Sequence, residues 1–263
     1  MDQGTNESSR TILGVRFFAG TVGEAVDRML RGGLLVVPAA PALKDLPTHP
    51  NYRKAILSAD IAIPDSAFMV LAWNLLEGDD LRRVSGLEYL RTLLDQADVR
   101  APGKTLWVMA GERSSRRNLA WLQKQGIDVP RPYVYLAPMY GSQIDDTVVL
   151  ERIERLQPAH VIVTIGGGNQ ERLGLYLRQC LSFLPGIHCI GAAIAFLSGD
   201  QVRIPMWADR MYLGWLFRVL DDPKRFIPRY WEARVLFSLM HEHRSKLPPL
   251  IEVSQVQVQY EVT

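Results

Sequence analysis

The chain has 263 residues, 48% apolar and 22% charged, with 30 Lys and Arg against 28 Asp and Glu for a net charge of +2. That length and composition suit one sizeable core of the single-domain α/β kind, and the near-neutral balance excludes a nucleic-acid-binding surface spread over the molecule. The two cysteines, Cys180 and Cys189, stand in apolar surroundings without metal-type spacing, which predicts buried reduced thiols and a cytoplasmic setting.

Residues 1–10, MDQGTNESSR, read as a disordered lead and lack the basic and apolar regions of an export signal. Short β-type runs then alternate with helical ones. TILGVRFFA is followed by a helix entered at Thr21, where Thr21 and Glu24 form a T-x-x-E capping box; next come LLVVPA, a helix through NYRKAILSAD, IAIP and AFMVLAWNLL. Further strands are predicted at KTLWVMAG, YVYLAP, HVIVTIG and HCIGAA, separated by helical ERSSRRNLAWLQKQG, DDTVVLERIERLQ and NQERLGLYLRQCLSFL. This rhythm predicts an α/β fold, a Rossmann-like parallel sheet flanked by helices, over residues 11–199. A basic, aromatic-rich helical appendage follows over 200–249. The tail over 250–263 alternates at period two and is left to add an edge strand or to pair with another subunit, as a homo-oligomer would use it. The longest apolar runs fall short of the roughly 20 residues that span a bilayer, so membrane contact is expected to be peripheral.

In an open parallel sheet, ligands bind beyond the carboxyl ends of the strands. Asp65 stands at such an end, after IAIP and before a helix. Its carboxylate there can cap the helix or act as a general base. Gly166, Gly167 and Gly168 stand between a strand and a helix, where backbone NH groups can receive a phosphate or sugar. The turn is not a dinucleotide fingerprint, because Glu171 occupies the position that needs Gly or Ala, and NAD chemistry is therefore not expected. From Arg203 to Trp231 arginines are interleaved with Trp, Tyr and Phe, a mixture suited either to a solvated packing helix or to an anionic ligand at a lipid boundary. No D-x-D triplet and no His, Cys or carboxylate set with ligand spacing is present, so no metal is expected, and no G-x-S-x-G elbow supports serine hydrolysis.

The ordered segments IPDSAF at 63–68, RVSG at 83–86, IGGGNQE at 165–171, IGAAIAFLSG at 190–199, RIP at 203–205, and GWLFR followed by DPKRFIPRY at 214–230 resemble the WecG/TagA/CpsF glycosyltransferase family. Each segment is short; their order and spacing over residues 12–231 make the resemblance specific. It implies that Asp65 is the general base and that Arg83 lies near the active site. It implies that Gln170 and Glu171, with Gly166, Gly167 and Gly168, contact the donor. Arg218, Arg225 and Arg229 would hold pyrophosphate when the appendage folds over the pocket. The implied reaction is inverting, metal-independent and cofactor-free transfer from a UDP-sugar to a polyprenyl-pyrophosphate-linked sugar, at the inner face of the cell membrane, in polysaccharide, cell-wall or capsule assembly. The chain departs from the family pattern at several places. Ser66 replaces a Gly, Gly168 and Asn169 replace Pro-Lys, Pro38 and Ala40 replace a T-x-N pair, Ala195 replaces an Asp and Gly214 a Glu. These losses keep a second reading open, a non-catalytic binder of sugar nucleotides or lipid phosphates.

Overall fold

The computed structural model describes residues 9–201, 205, 207–208, 211, 213–232 and 234–251. A hairpin of β1 (Ser9–Ile12) and β2 (Val15–Phe18) leads to α1 (Val22–Met29), β3 (Gly33–Val36), α2 (Ala40–Leu43), α3 (Pro50–Leu57), β4 (Ile61–Ala62), α4 (Ala67–Glu77), α5 (Gly86–Leu94) and α6 (Ala97–Arg100). The second half runs β5 (Thr105–Met109), α7 (Glu112–Lys124), β6 (Val134–Leu136), α8 (Thr147–Leu156), β7 (His160–Thr164), α9 (Asn169–Cys180), β8 (Gly186–Cys189) and α10 (Ala193–Ser198). Three helices close it: α11 (Gly214–Asp221), α12 (Pro223–Glu232) and α13 (Arg234–His243).

The eight strands form one sheet in the order β1-β2-β4-β3-β8-β7-β5-β6, parallel except for the β1–β2 pair. Side chains alternate across each strand, so every central strand feeds two cores. Val161 and Val163 of β7 join the layer under α3, α4, α8, α9 and α13, while Ile162 joins the layer under α1, α5, α7 and α10. Strands β5 and β7 are buried along their whole length, as an interior parallel strand covered by helices on both faces must be.

TILGVRFFA, expected as one strand, is a hairpin. Leu13 and Gly14 both take positive φ, 51° and 76°, the two-residue turn whose twist matches its strands. The strain at Leu13 is offset by backbone hydrogen bonds from Leu13 to Arg244 (2.8 Å) and from Gly14 to Ser245 (3.0 Å). This contact ties the hairpin to the far end of the chain. The first strand also opens at Ser9, inside the stretch expected as a lead. Thr21 caps α1 as expected, with the Glu24 amide donating to its hydroxyl and Glu24 Oε2 accepting from the Thr21 amide.

The segment after Glu232 is built into the molecule. Leu236 and Met240 of α13 are fully buried in the layer that holds Met69, Val70 and Trp73 of α4. Arg53 donates to the Pro248 carbonyl, Arg244 to the Leu76 carbonyl (2.8 Å), and the Ile251 amide to Pro47 (2.9 Å). Residues 252–263, the expected edge strand, lie outside the described residues. Cys189 is buried as expected, whereas Cys180, at the last turn of α9, is exposed; both are free.

Below the sheet's carboxyl edge, Tyr89, His160 and His188 form a buried chain. The Tyr89 hydroxyl lies 2.7 Å from His188 Nδ1, and His188 Nε2 lies 3.2 Å from His160 Nδ1. Burial pushes both imidazoles below their usual range, His188 far below it. Gly186 is required here, since a Cβ would meet the Met29 carbonyl at 2.7 Å and both rings at 2.9 Å.

Candidate active site

The carboxyl ends of β3, β4, β8, β7 and β5 open on one cleft of about 630 Å³. Each strand supplies residues just past its end: Val37 and Ala39 from β3, Asp65 from β4, Ile190 and Gly191 from β8, Gly166 and Gly167 from β7, Ala110 from β5. This is where a doubly wound sheet presents its loops and helix starts to a ligand.

Asp65 and Arg83 meet in the cleft. Arg83 Nε donates to the Asp65 carbonyl (2.5 Å) and its Nη2 to Asp65 Oδ1 (3.0 Å), while the Gly86 amide, at the first position of α5, donates to the same Oδ1 (3.0 Å). Asp65 Oδ2 accepts nothing among the described residues, and its side chain is 26% exposed against 13% for Arg83. The carboxylate is therefore fixed through one oxygen and offers the other to the cleft. Asp65 does not cap the helix that follows it. Ser66 does, accepting from the Met69 amide (3.2 Å), so the hydroxyl that replaces a glycine in the resemblance serves α4. Ser85 caps α5 in the same way.

On the opposite side, Gly166 and Gly167 line the cleft with open space where a Cβ would stand, and Gly168 takes φ 88°. Glu171 is buried and its two oxygens are engaged: Oε2 accepts from the Gly168 amide (2.6 Å) and Oε1 from Gln170 Nε2 (2.9 Å). Burial raises the Glu171 carboxyl above its ordinary range, opposed by these hydrogen bonds. Gln170 is also buried, and its Oε1 has no hydrogen-bond partner among the described residues.

Several cleft residues carry no motif in the sequence. Lys44 and Asp45, an ion pair at 2.7 Å just past α2, stand beside the apolar wall of Val37, Ala39, Pro41 and Ala42. Asn118 and Ser114 of α7 line another side, with Asn118 Oδ1 accepting from the Ser198 hydroxyl (2.6 Å). Only the S-x-x-E spacing of Ser85 and Glu88 could have announced the Gly86 amide, since it marks a helix start.

Arg218 stands on α11, and Arg225 and Arg229 on α12, but their side chains lie outside the described part, as does Arg203. Around them Trp215, Leu220, Ile227 and Trp231 are exposed, with the Arg234 guanidinium 4.2 Å from the centre of the Trp231 ring. Leu71 and Leu75 of α4, which packs against α13, are exposed as well. Among the described residues no helix is long and apolar enough to cross a membrane, and no three His, Cys, Asp or Glu side chains are grouped to hold a metal.

A doubly wound sheet with a fixed carboxylate, an arginine and a glycine-rich helix start at its switch-side cleft defines an α/β protein shaped for a polar, anionic ligand. Residues 10–248 match the glycosyl transferase WecG/TagA/CpsF family, and the chain belongs to it. It is a glycosyltransferase. Among its relatives are three proteins named N-acetylglucosaminyldiphosphoundecaprenol N-acetyl-beta-D-mannosaminyltransferase. That of Bacillus spizizenii is 25% identical over 225 residues, 82% of each chain. That of Bacillus subtilis is 24% identical over 200 residues, 73% of each chain. That of Staphylococcus aureus is 24% identical over 235 residues, 86% of this chain and 89% of the relative.

Proposed function

We propose that the protein transfers a sugar from a UDP-sugar to a polyprenyl-diphosphate-linked sugar, with inversion and without a metal, in cell-wall or related polysaccharide assembly. The relatives' names supply the acceptor class, a sugar on diphosphoundecaprenol, and an N-acetylhexosamine as the transferred group. The observation that carries the chemistry is the division of labour within Asp65: Oδ1 is held by Arg83 and Gly86, and Oδ2 is left for an acceptor hydroxyl. A single displacement needs one such base, which takes the proton as the hydroxyl oxygen attacks the anomeric carbon and UDP departs on the other side. Arg83 orients the base; Gly166, Gly167, Gly168 and Gln170 receive the donor, and Glu171 shapes their turn. Arg218, Arg225 and Arg229 neutralise diphosphate from the appendage.

Metal independence is supported by the engagement of the cleft's acids. Among the described lining residues, Asp45 pairs with Lys44, Asp65 with Arg83, Asp200 with Arg117, and Glu171 accepts from Gly168 and Gln170. The exposed Trp215, Ile227 and Trp231, mixed with arginines, suit the headgroup level of the inner membrane face, where a lipid-linked acceptor is reached. The test is a screen of UDP-sugars for UDP release with a short polyprenyl-diphosphate N-acetylglucosamine acceptor. Release that depends on the acceptor supports the reading; nucleotide binding without release from any pair would leave a binding protein.

A further inference from the structure

Gln170 combines two observations that give the donor-binding reading a direction. Its side-chain oxygen is buried without a partner among the described residues, and its side-chain nitrogen is committed to Glu171. Leaving a buried acceptor unsatisfied costs on the order of 1–3 kcal/mol, so such an atom at a cleft calls for a donor that arrives with the ligand.

Which end of the amide faces which neighbour is not arbitrary. Glu171 Oε2 accepts from the Gly168 amide, and its Oε1 can only accept from Gln170 while the carboxylate is ionised. Gln170 must then present NH2 to Glu171 and its carbonyl oxygen away from it. The amide lies beneath Gly191, where a Cβ would stand 3.4 Å from both Nε2 and Oε1, so the turn after β8 is cut away over it. Both Gln170 and Gly191 line the cleft.

We infer that Glu171 is a positioning residue that sets the polarity of the Gln170 amide, so that Gln170 Oε1 accepts a hydrogen bond from a hydroxyl or N–H of the bound sugar nucleotide. The inference rests on the sugar-nucleotide reading of the cleft and assigns its floor a preference: a neutral hydrogen-bond donor is taken there, and a second acceptor is refused. Glu171 itself touches the protein. Its influence on the ligand passes through the neighbouring amide.

Exchanging Glu171 for Gln tests this by hydrogen-bond logic. In Glu171→Gln the new carbonyl oxygen must still accept from the Gly168 amide, which leaves NH2 facing Gln170. Gln170 must answer with its oxygen and turns its own NH2 to the ligand. A donor then meets a donor. Titration calorimetry with UDP-N-acetylmannosamine and with UDP is expected to show at least about tenfold weaker binding in Glu171→Gln than in the parent, at an unchanged melting temperature. Loss with both probes places the ligand's donor on the nucleotide; loss with the sugar nucleotide alone places it on the sugar. The exchanged pair, Gln170→Glu together with Glu171→Gln, again shows an acceptor to the ligand and should recover most of the affinity. Gln170→Met, which leaves Glu171 on the Gly168 amide, must show the same loss and serves if Glu171→Gln fails to fold. Binding within twofold of the parent in Glu171→Gln or Gln170→Met overturns the inference, and so does an exchanged pair as weak as Glu171→Gln alone. A parent that binds neither probe refutes the sugar-nucleotide reading, and this inference falls with it.

Discussion

Arg83 holds Asp65 at two points, the backbone carbonyl and Oδ1, so the arginine fixes both the loop after β4 and the carboxylate it carries. Eighteen positions separate them in sequence, and α4 runs its whole course in between. The pairing leaves Oδ2 as the reactive face. Asp65→Asn keeps an oxygen for Arg83 and Gly86 but offers no base. Turnover is expected to fall by roughly a hundredfold to ten-thousandfold, with donor affinity within a few fold, measured as initial UDP release and by calorimetry. Equal loss of binding and rate would make Asp65 a structural anchor.

Excess chelator is expected to leave transfer intact. The acids lining the cleft are engaged by Lys44, Arg83, Arg117, Gly168 and Gln170, and arginine can neutralise a departing diphosphate. Initial rates before and after exhaustive chelation decide the matter. Activity that disappears and returns with magnesium or manganese would show that these acids rearrange around an ion.

The sheet was legible because its strands announce themselves as apolar runs punctuated by helices with opposite periodicity. HVIVTIG and KTLWVMAG contain β7 and β5, which are buried from end to end, as are β3, β4 and β8. The hairpin was not legible, because Leu13 takes a left-handed conformation that only its contact with Arg244, more than two hundred residues away, makes tolerable. Asp65 and Arg83 were visible as residues, but their pairing was not. Lys44 and Asp45 were invisible for a different reason: α2 is a single short turn whose register, set by Pro41 and the wall it packs on, no spacing rule reports. The role of Ser66 as a cap was hidden by its neighbour, since Asp65 is an equally good cap on paper.

The buried imidazoles predict a loss of stability in mild acid. His160 and His188 are held neutral by burial, with Tyr89 against His188 and Asp98 acting on His160 in the opposite sense. In the unfolded chain they protonate near pH 6.5, so the unfolded state binds more protons as pH falls below that value. Their contribution is therefore fully present above about pH 6.5 and lost progressively below it, by up to about 1.4 kcal/mol per pH unit for each ring. Glu171, whose carboxyl is raised by burial, works in the opposite direction above its unfolded value. Denaturant melts from pH 7.5 to 5.5 should show a shallower decline for His188→Gln than for the parent. Parallel declines would mean that the rings are already charged in the fold.

Helix α13 belongs to the core although it falls within the stretch 200–249 expected as an appendage, and this decides what a truncation should do. A chain ending after Gly199 loses Leu236 and Met240 from beneath α4 and strips the hairpin of its Arg244 and Ser245 partners. Such a piece is expected to aggregate or melt well below the parent. Leu236→Ala and Met240→Ala should each lower stability by about 2–5 kcal/mol in chemical denaturation, the cost of a cavity in a packed interior. Losses under about 0.5 kcal/mol would show that the last helix only rests on the surface.

Membrane contact can be separated from folding through the exposed tryptophans. Trp215 and Trp231 carry 49% and 65% of their surface to solvent on α11 and α12, so replacing them removes little from the core. If the two rings enter the headgroup layer, each transfers apolar area out of water, and Trp215→Glu with Trp231→Glu also sets like charge against an anionic surface. Sedimentation with phosphatidylglycerol-containing liposomes is expected to show at least about tenfold weaker binding for the double variant, with binding of the parent falling as salt is raised. Its melting temperature and its turnover on a water-soluble short-chain acceptor should match the parent's. Unchanged liposome binding would move the membrane contact elsewhere, and Leu71 and Leu75 of α4 are then the residues to substitute next.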